Sequence, residues 1–280
     1  MVMPRSSRAA RDLSPEQALI PQPAGVGFDL RIEADAAAVA EVVAQRLLEA
    51  LEAGGPVGLA TGRTMEPVYA ALRRRLTTWD DERRQGLLQR WRSFNLDEYV
   101  GLGPADPGSF AADMHAALAG PLGLEPGRLQ LPDGLAADPE AEARRYGAAV
   151  MAGGGITLQL LGLGGNGHVG FNEPPCPADA PCRCLALSEA TRRQNAAAFG
   201  GDPAAVPARA ITLGTAEILA AQTVLLVVTG AAKAEILRRS LQEPPNPELP
   251  AGWLQHHPRL EVVLDQAAAG LLDLRTLRVS

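Results

Sequence analysis

Residues 156–174 read ITLQLLGLGGNGHVGFNEP. The first half is an apolar run led by a β-branched residue, the composition of a buried strand. The second half turns glycine-rich and sets Asn166, His168, Asn172 and Glu173 close together. The chain has only four histidines, and one of them stands here, five positions before a carboxylate. A loop of this kind directly after a strand is either a tight turn whose polar residues are incidental or the floor of an active site.

The same strand-then-helix rhythm extends on both sides. DAAAVAEVVAQRLLEALEA (35–53) has apolar residues at helical spacing and ends on Gly54-Gly55, a stop signal. PVGLA reads as a short strand, TGRT as its exit, MEPVYAALRRRL as a helix and RSFNL as a second strand running into DEYVG. PGSFAADMHAALAGPLG and PEAEARRYGAAVMAGGG read as helices on either side of a loop. Beyond the glycine loop, SEATRRQNAAAFGG is a helix with Ser188 as N-cap. TAEILAAQ, TVLLVVTG and AAKAEILRRSLQ give helix, strand and helix, and LEVVLD is a last strand. EPPNPELP (243–250) is a loop inside the domain, because the pattern resumes after it. Alternation of this kind predicts an α/β fold, a doubly wound and mostly parallel sheet with helices on both faces. One domain over 26–280 is the simplest division, preceded by a flexible extension over 1–25.

Composition narrows the function. The chain has 280 residues, a net charge of −6 and 46% hydrophobic residues, but only 4% aromatic, so the expected core is aliphatic. No basic footprint for nucleic acid is present. No apolar run is long enough to span a membrane. The extension carries Arg5, Arg8 and Arg11 but no apolar h-region, which argues against a secretory signal. Cys176, Cys182 and Cys184 are an odd number in nine residues, which fits a reducing cytoplasm and no metal site.

In an open α/β sheet, ligands bind beyond the carboxyl ends of the strands. Four strand ends here carry polar groups: Thr61-Gly62-Arg63-Thr64, Asp97-Glu98-Tyr99, Asn166-Gly167-His168 with Glu173, and Thr229-Gly230 with Lys233. Each alone is ordinary turn chemistry; four together point to a site. TGRT before a helix offers backbone N–H groups, hydroxyls and the positive helix end to a phosphate. Lys233 adds a point charge. His168 can carry a proton near neutral pH, Glu173 can orient it, and Asp97 is a base if burial raises its pKa. The set suits proton transfer on a phosphorylated sugar.

LATGRT, FNLDEYVGL, LGLGGNGHVGFNEP, ITLGTAEILAAQTVLLVVTGAAKAEIL and LQHHPRLEVVLD resemble the glucosamine-6-phosphate deaminase/isomerase family, relatives of the 6-phosphogluconolactonases. The resemblance runs from about residue 28 to about 268. It implies a modified doubly wound fold and a cofactor-free, metal-free conversion of glucosamine 6-phosphate to fructose 6-phosphate and ammonia. By the same resemblance Asp97 moves the C2 proton to C1, and His168 opens the pyranose ring, with Glu173 pairing with it and tuning it. Thr61, Gly62, Arg63, Thr64 and Lys233 hold the phosphate. The implied partner is an amino sugar phosphate, with no nucleic acid or membrane; monomer and homo-oligomer both stay open. A galactosamine 6-phosphate deaminase, a lactonase and a non-catalytic sugar-phosphate sensor are the rival readings.

Three departures stand out. Some members have an aspartate where this chain has Asn166, an amide that cannot share a proton with His168, so Glu173 is the expected main carboxylate partner of the ring. Many have an arginine closing T-R-x-x-N-x-R, where TRRQNAA ends on Ala197. Arg63 stands where relatives often have a small residue. These two changes raise the expectation that Arg63 supplies the missing phosphate charge, the alternative being that Arg192 or Arg193 shifts to fill the gap. The stretch after FNEP (PCPADAPCRC) gives no reason to expect allosteric activation.

Overall fold

The computed structural model describes residues 27–152, 154–275 and 277, so the extension expected over 1–25 lies outside the described residues. Ten strands are formed: β1 (Asp29–Glu33), β2 (Val57–Leu59), β3 (Ser93–Asn95), β4 (Asp97–Tyr99), β5 (Leu129–Gln130), β6 (Leu158–Gly162), β7 (Arg183–Ala186), β8 (Arg209–Thr212), β9 (Thr223–Val228) and β10 (Leu260–Asp265). The helices between them are α1 (Ala36–Glu52), α2 (Met65–Leu76), α3 (Asp81–Arg90), α4 (Phe110–Met114), α5 (Gly120–Leu122), α6 (Pro139–Ala152), α7 (Glu189–Asn195), α8 (Thr215–Leu219), α9 (Ala234–Gln242) and α10 (Gln266–Ala269). No helix among the described residues is long and apolar enough to cross a membrane.

Seven strands make one parallel sheet in the order β1-β10-β9-β6-β2-β3-β5. This is the α/β architecture that the strand-helix alternation predicts. β9, TVLLVV, next to the central strand β6, is buried along its whole length, as a strand covered on both faces must be. α1 shows how the helices dock. Val39, Val43, Ala44, Leu47, Leu48 and Leu51 recur at helical spacing and form its buried stripe. Asp35 caps its start through the N–H groups of Ala37 and Ala38.

One feature departs from the expected single sheet. DEYVG does not simply trail off the end of β3. The chain leaves the large sheet at Leu96, whose N–H still donates to Leu59 O at 2.9 Å. It then enters a separate antiparallel sheet of order β4-β8-β7, with Asp97 opposite Thr212. β7 and β8 are short and only partly apolar, so neither announces itself by periodicity. The small sheet has its own apolar cluster, built on Tyr99, Phe171, Leu187, Val206 and Ala210.

Leu225 lies on β9 with none of its side chain exposed. Leu225→Ala is expected to destabilise the fold by about 2–5 kcal/mol, through lost burial and the cavity left behind. Urea unfolding should show a lower midpoint with an unchanged slope.

Candidate active site

Strand order locates the site. From β2 the chain steps to β3 and β5 on one side, and from β6 to β9 and β10 on the other. The order therefore reverses between the neighbours β2 and β6, and the loops leaving their carboxyl ends part to open a crevice. A cavity of about 520 Å³ lies there. It is lined by residues 61–64 after β2, by Gly164 and His168 after β6, by Asp97 from the sheet junction and by Lys233 after β9.

Asp97 is 5% exposed. No hydrogen-bond donor among the described residues reaches its carboxylate. The loop passes close by: a Cβ on Gly170 would lie 3.4 Å from Asp97 Oδ2 and 3.0 Å from Thr212 Oγ1. Burial first, and the charge of Glu98 second, push the Asp97 carboxyl up to about 8.

His168 is half-buried, and Gly164 makes room for it: a Cβ there would lie 2.3 Å from the ring. Asn166 Oδ1 accepts the backbone N–H of His168 at 3.2 Å, which fixes the amide with its oxygen toward the histidine. The same oxygen lies 2.5 Å from His168 Nδ1, so Nδ1 carries the proton and Nε2 keeps a lone pair. Burial, which outweighs the opposing charge of Glu173, pushes the imidazole down to about 4, with Lys233 adding in the same direction. His168 is thus a neutral imidazole at pH 7.

Glu173 makes no hydrogen bond to His168. Its Oε2 accepts the Ser188 N–H at 2.8 Å, and its Oε1 accepts the Ser188 hydroxyl at 2.6 Å and that of Thr191. It therefore ties the glycine loop to the start of α7 and reaches His168 through its charge alone. The hydrogen-bonding partner of the ring is Asn166. Asn172, buried, braces the same loop by donating to Val169 O and Leu213 O.

The opposite wall is cationic. Lys233 lies over the glycine loop, with Nζ 4.0 Å from where a Gly165 Cβ would stand. Its pKa is lowered by burial and by the nearby charge of Arg63. Among the described residues neither cation has a carboxylate in ion-pair range. Thr64 is the N-cap of α2 yet makes no capping bond with its side chain, and Gly62 turns the loop at φ +118°. Ala197 lines the cavity, as do Gln194 and Asn195. Arg192 instead donates to Val206 O and Ala204 O, and Arg193 pairs with Glu189 at 2.5 Å. Neither arginine fills the place beside Ala197.

The sequence model of the family described as glucosamine-6-phosphate isomerases/6-phosphogluconolactonase matches residues 32–263. The chain belongs to this family. It is 44% identical over 219 residues to a glucosamine-6-phosphate deaminase of Rhodopirellula baltica, covering 78% of this chain and 85% of that one. A Streptomyces coelicolor protein of the same name is 39% identical over 249 residues, 88% of this chain and 94% of its own. Among solved structures, a monomeric glucosamine-6-phosphate deaminase superposes with a TM-score of 0.81 at 33% identity, covering 87% of this chain and 99% of the other. A 6-phosphogluconolactonase from Trypanosoma cruzi gives 0.70 at 18% identity over 89% and 98%, a likeness of fold.

Several lining groups of this family member were not legible in its sequence. Glu66, Phe110 and Asp113 reach the cavity from α2 and α4, and Gln194 and Asn195 from α7. The N of TRRQN was the one available signal, and Asn195 Nδ2 donates to the Tyr99 hydroxyl at 2.8 Å.

Gly164→Ala should drive the imidazole out of its slot toward water. Because burial is what lowers the His168 pKa to about 4, that value should climb toward the ordinary 6.5. Imidazole ¹⁵N shifts followed through a pH titration read this directly, and in the unaltered protein they should report protonated Nδ1 and free Nε2.

Proposed function

We propose that the protein is a glucosamine-6-phosphate deaminase acting in the cytoplasm, with the proton transfers carried by Asp97 and His168. The observation that carries this reading is a buried carboxyl group sharing one cavity with a neutral imidazole and two cations, the carboxyl without a donor and the cations without counter-ions among the described residues. An amino sugar phosphate supplies what each of them is missing. Relatives named as deaminases, at 44% and 39% identity over most of their length, support the same substrate.

In the proposed sequence the phosphate binds Arg63, Lys233 and the backbone of residues 61–64 at the start of α2. His168 Nε2 takes the proton of the C1 hydroxyl and returns it to the ring oxygen, opening the pyranose. Asn166 holds the ring in the tautomer this requires, and Glu173 stabilises the transient imidazolium by its charge. Asp97 removes the C2 proton and delivers it to C1, while the C2 ammonium gives up one proton that ends on O1, so the aldehyde becomes a C1 alcohol and C2 an iminium. Water adds to C2 and ammonia leaves, giving the ketose phosphate. A base with a pKa near 8 is better matched to a carbon acid than an ordinary aspartate.

Asp97→Asn should abolish turnover and exchange of the C2 proton with solvent while leaving binding within about tenfold, because the base acts only in the transition state. Asp97 must be ionised to act, so kcat/KM of the unaltered enzyme should rise with pH through about 8. Persisting C2 exchange in the variant would assign the base elsewhere. Ammonia release from glucosamine 6-phosphate, galactosamine 6-phosphate and a 6-phosphogluconolactone control tests the substrate itself.

We also propose that Arg63 supplies the phosphate charge absent at Ala197. Arg192 and Arg193 are occupied elsewhere, while the charge of Arg63 is felt at Lys233. Arg63→Gly should raise KM about ten- to a hundredfold, and adding Ala197→Arg should recover much of that. An unchanged KM, or an equal rise in Arg192→Ala, would remove Arg63 from the phosphate site.

A further inference from the structure

Glu98 follows Asp97 on β4 and is 1% exposed, away from the cavity. A carboxylate is rarely buried this far unless donors surround it. Glu98 has three. Its Oε1 accepts the N–H of Tyr99 at 2.8 Å and of Phe110 at 3.0 Å, and its Oε2 accepts the N–H of Ala111 at 2.7 Å. Phe110 and Ala111 open α4, where the first N–H groups have no partner inside the helix. Ser109 caps the same turn but reaches only the Ala112 N–H, at 3.0 Å. The two remaining donors are held by the neighbour of the base.

This clamp joins two walls of one cavity. β4 carries Asp97 and Tyr99; α4 carries Phe110 and Asp113. The Phe110 ring lies 4.8 Å from that of Tyr99 and 5.8 Å from that of Phe171, so the helix rests on both the strand and the glycine loop. The backbone runs straight from Asp97 into the clamped residue. A slip of α4 against β4 would thus move the base as well as the wall.

We propose that Glu98 is a positioning residue for proton transfer, fixing the strand from which Asp97 projects by clamping the start of α4. This rests on the assignment of Asp97 as the base. Burial raises the Glu98 carboxyl while its three backbone donors hold it down, and when ionised its charge adds to the burial that raises the Asp97 pKa. The titratable groups whose charge couples to Asp97 are Glu98 and Tyr99 on its own strand and Tyr146 from α6, Thr212 pairs with it from β8, and Asp113 from α4 acts on Glu98. Among these, Glu98 is the one group whose substitution changes the charge next to Asp97 without entering the cavity.

Two variants separate clamp from charge. Glu98→Asp keeps the charge but is one methylene short of α4. Glu98→Gln keeps the length but loses the charge and sets an amide N–H₂ against backbone donors. Hydrogen exchange at the 110 and 111 amides needs no substrate, and both variants should speed it about tenfold or more by opening the clamp. Both should lower kcat about 10- to 100-fold through misplacement of the base, with KM within about threefold because the phosphate anchor is untouched. Only Glu98→Gln should move the ionisation of Asp97 to lower pH. That shift is read from the carboxyl infrared band lost in Asp97→Asn, and again from the acid limb of kcat/KM. Unchanged exchange at 110 and 111, or an unmoved Asp97 ionisation in Glu98→Gln, overturns the proposal, as does a rise in KM with kcat preserved. If no amino sugar phosphate is turned over by the unaltered protein, the functional reading fails, while exchange and the infrared titration still decide the role of Glu98.

Discussion

The carboxyl group of Asp97 lies 5% exposed at the junction of two sheets, without a donor among the described residues. Burying a group that would otherwise ionise costs free energy, and the protein meets that cost by holding its proton up to about pH 8. The surroundings have to be rigid enough to prevent the cheaper outcomes, rotation of the side chain into water or entry of a donor. Backbone bonds do this at the preceding residue: Leu96 N–H to Leu59 O, and Leu213 N–H to Leu96 O at 2.7 Å. The residue before Asp97 is thereby held by the large sheet, and Asp97 itself by its pairing with Thr212 in the small one.

This arrangement sets the direction of a stability penalty. An unfolded aspartate loses its proton near 3.8, whereas the folded one keeps it to about 8. Between those values the folded state binds more protons than the unfolded state, so stability falls as pH rises through the window. His168 works in the other sense. Its folded pKa of about 4 lies below the ordinary 6.5, so its contribution is present above 6.5 and is lost as pH falls toward 4. The two groups are thus both held in the form that the low-dielectric cavity prefers, protonated carboxyl and neutral imidazole. The large apolar core around β9 and α1 is what makes such a site tolerable.

Much of the frame was legible because each long element obeys one period. α2 runs Met65–Leu76, the span marked by TGRT and the apolar spacing of MEPVYAALRRRL, and Ser188 does cap α7. The strand ends also delivered Asp97, His168 and Lys233 to one cavity, as parallel topology requires. The small sheet was not legible. β4, β7 and β8 have three or four residues each, too short for a period-2 signal, and their register depends on partners far apart in sequence. For the same reason the partner of His168 could not be read. Spacing places Glu173 five residues away, but the backbone turns it toward Ser188, and only the folded loop puts Asn166 Oδ1 on Nδ1.

That exchange of partners changes what the loop can do. An acidic residue at position 166 would compete for the imidazole proton and favour the cation. An amide oxygen accepts the Nδ1 proton without taking it, so His168 stays neutral and offers Nε2 to the cavity. Glu173, spent on α7, is then free of the ring in the hydrogen-bonding sense but fixed in distance, and its charge matters only when the imidazole becomes positive. The histidine is therefore poised as an acceptor first and a donor second. That is the order the proposed ring opening needs, in which the hydroxyl proton is taken before the ring oxygen receives it. The glycines complete the arrangement: Gly164 gives the ring a flat seat, and Gly170, at φ +57°, lets the backbone pass close beside Asp97 without a side chain in the way.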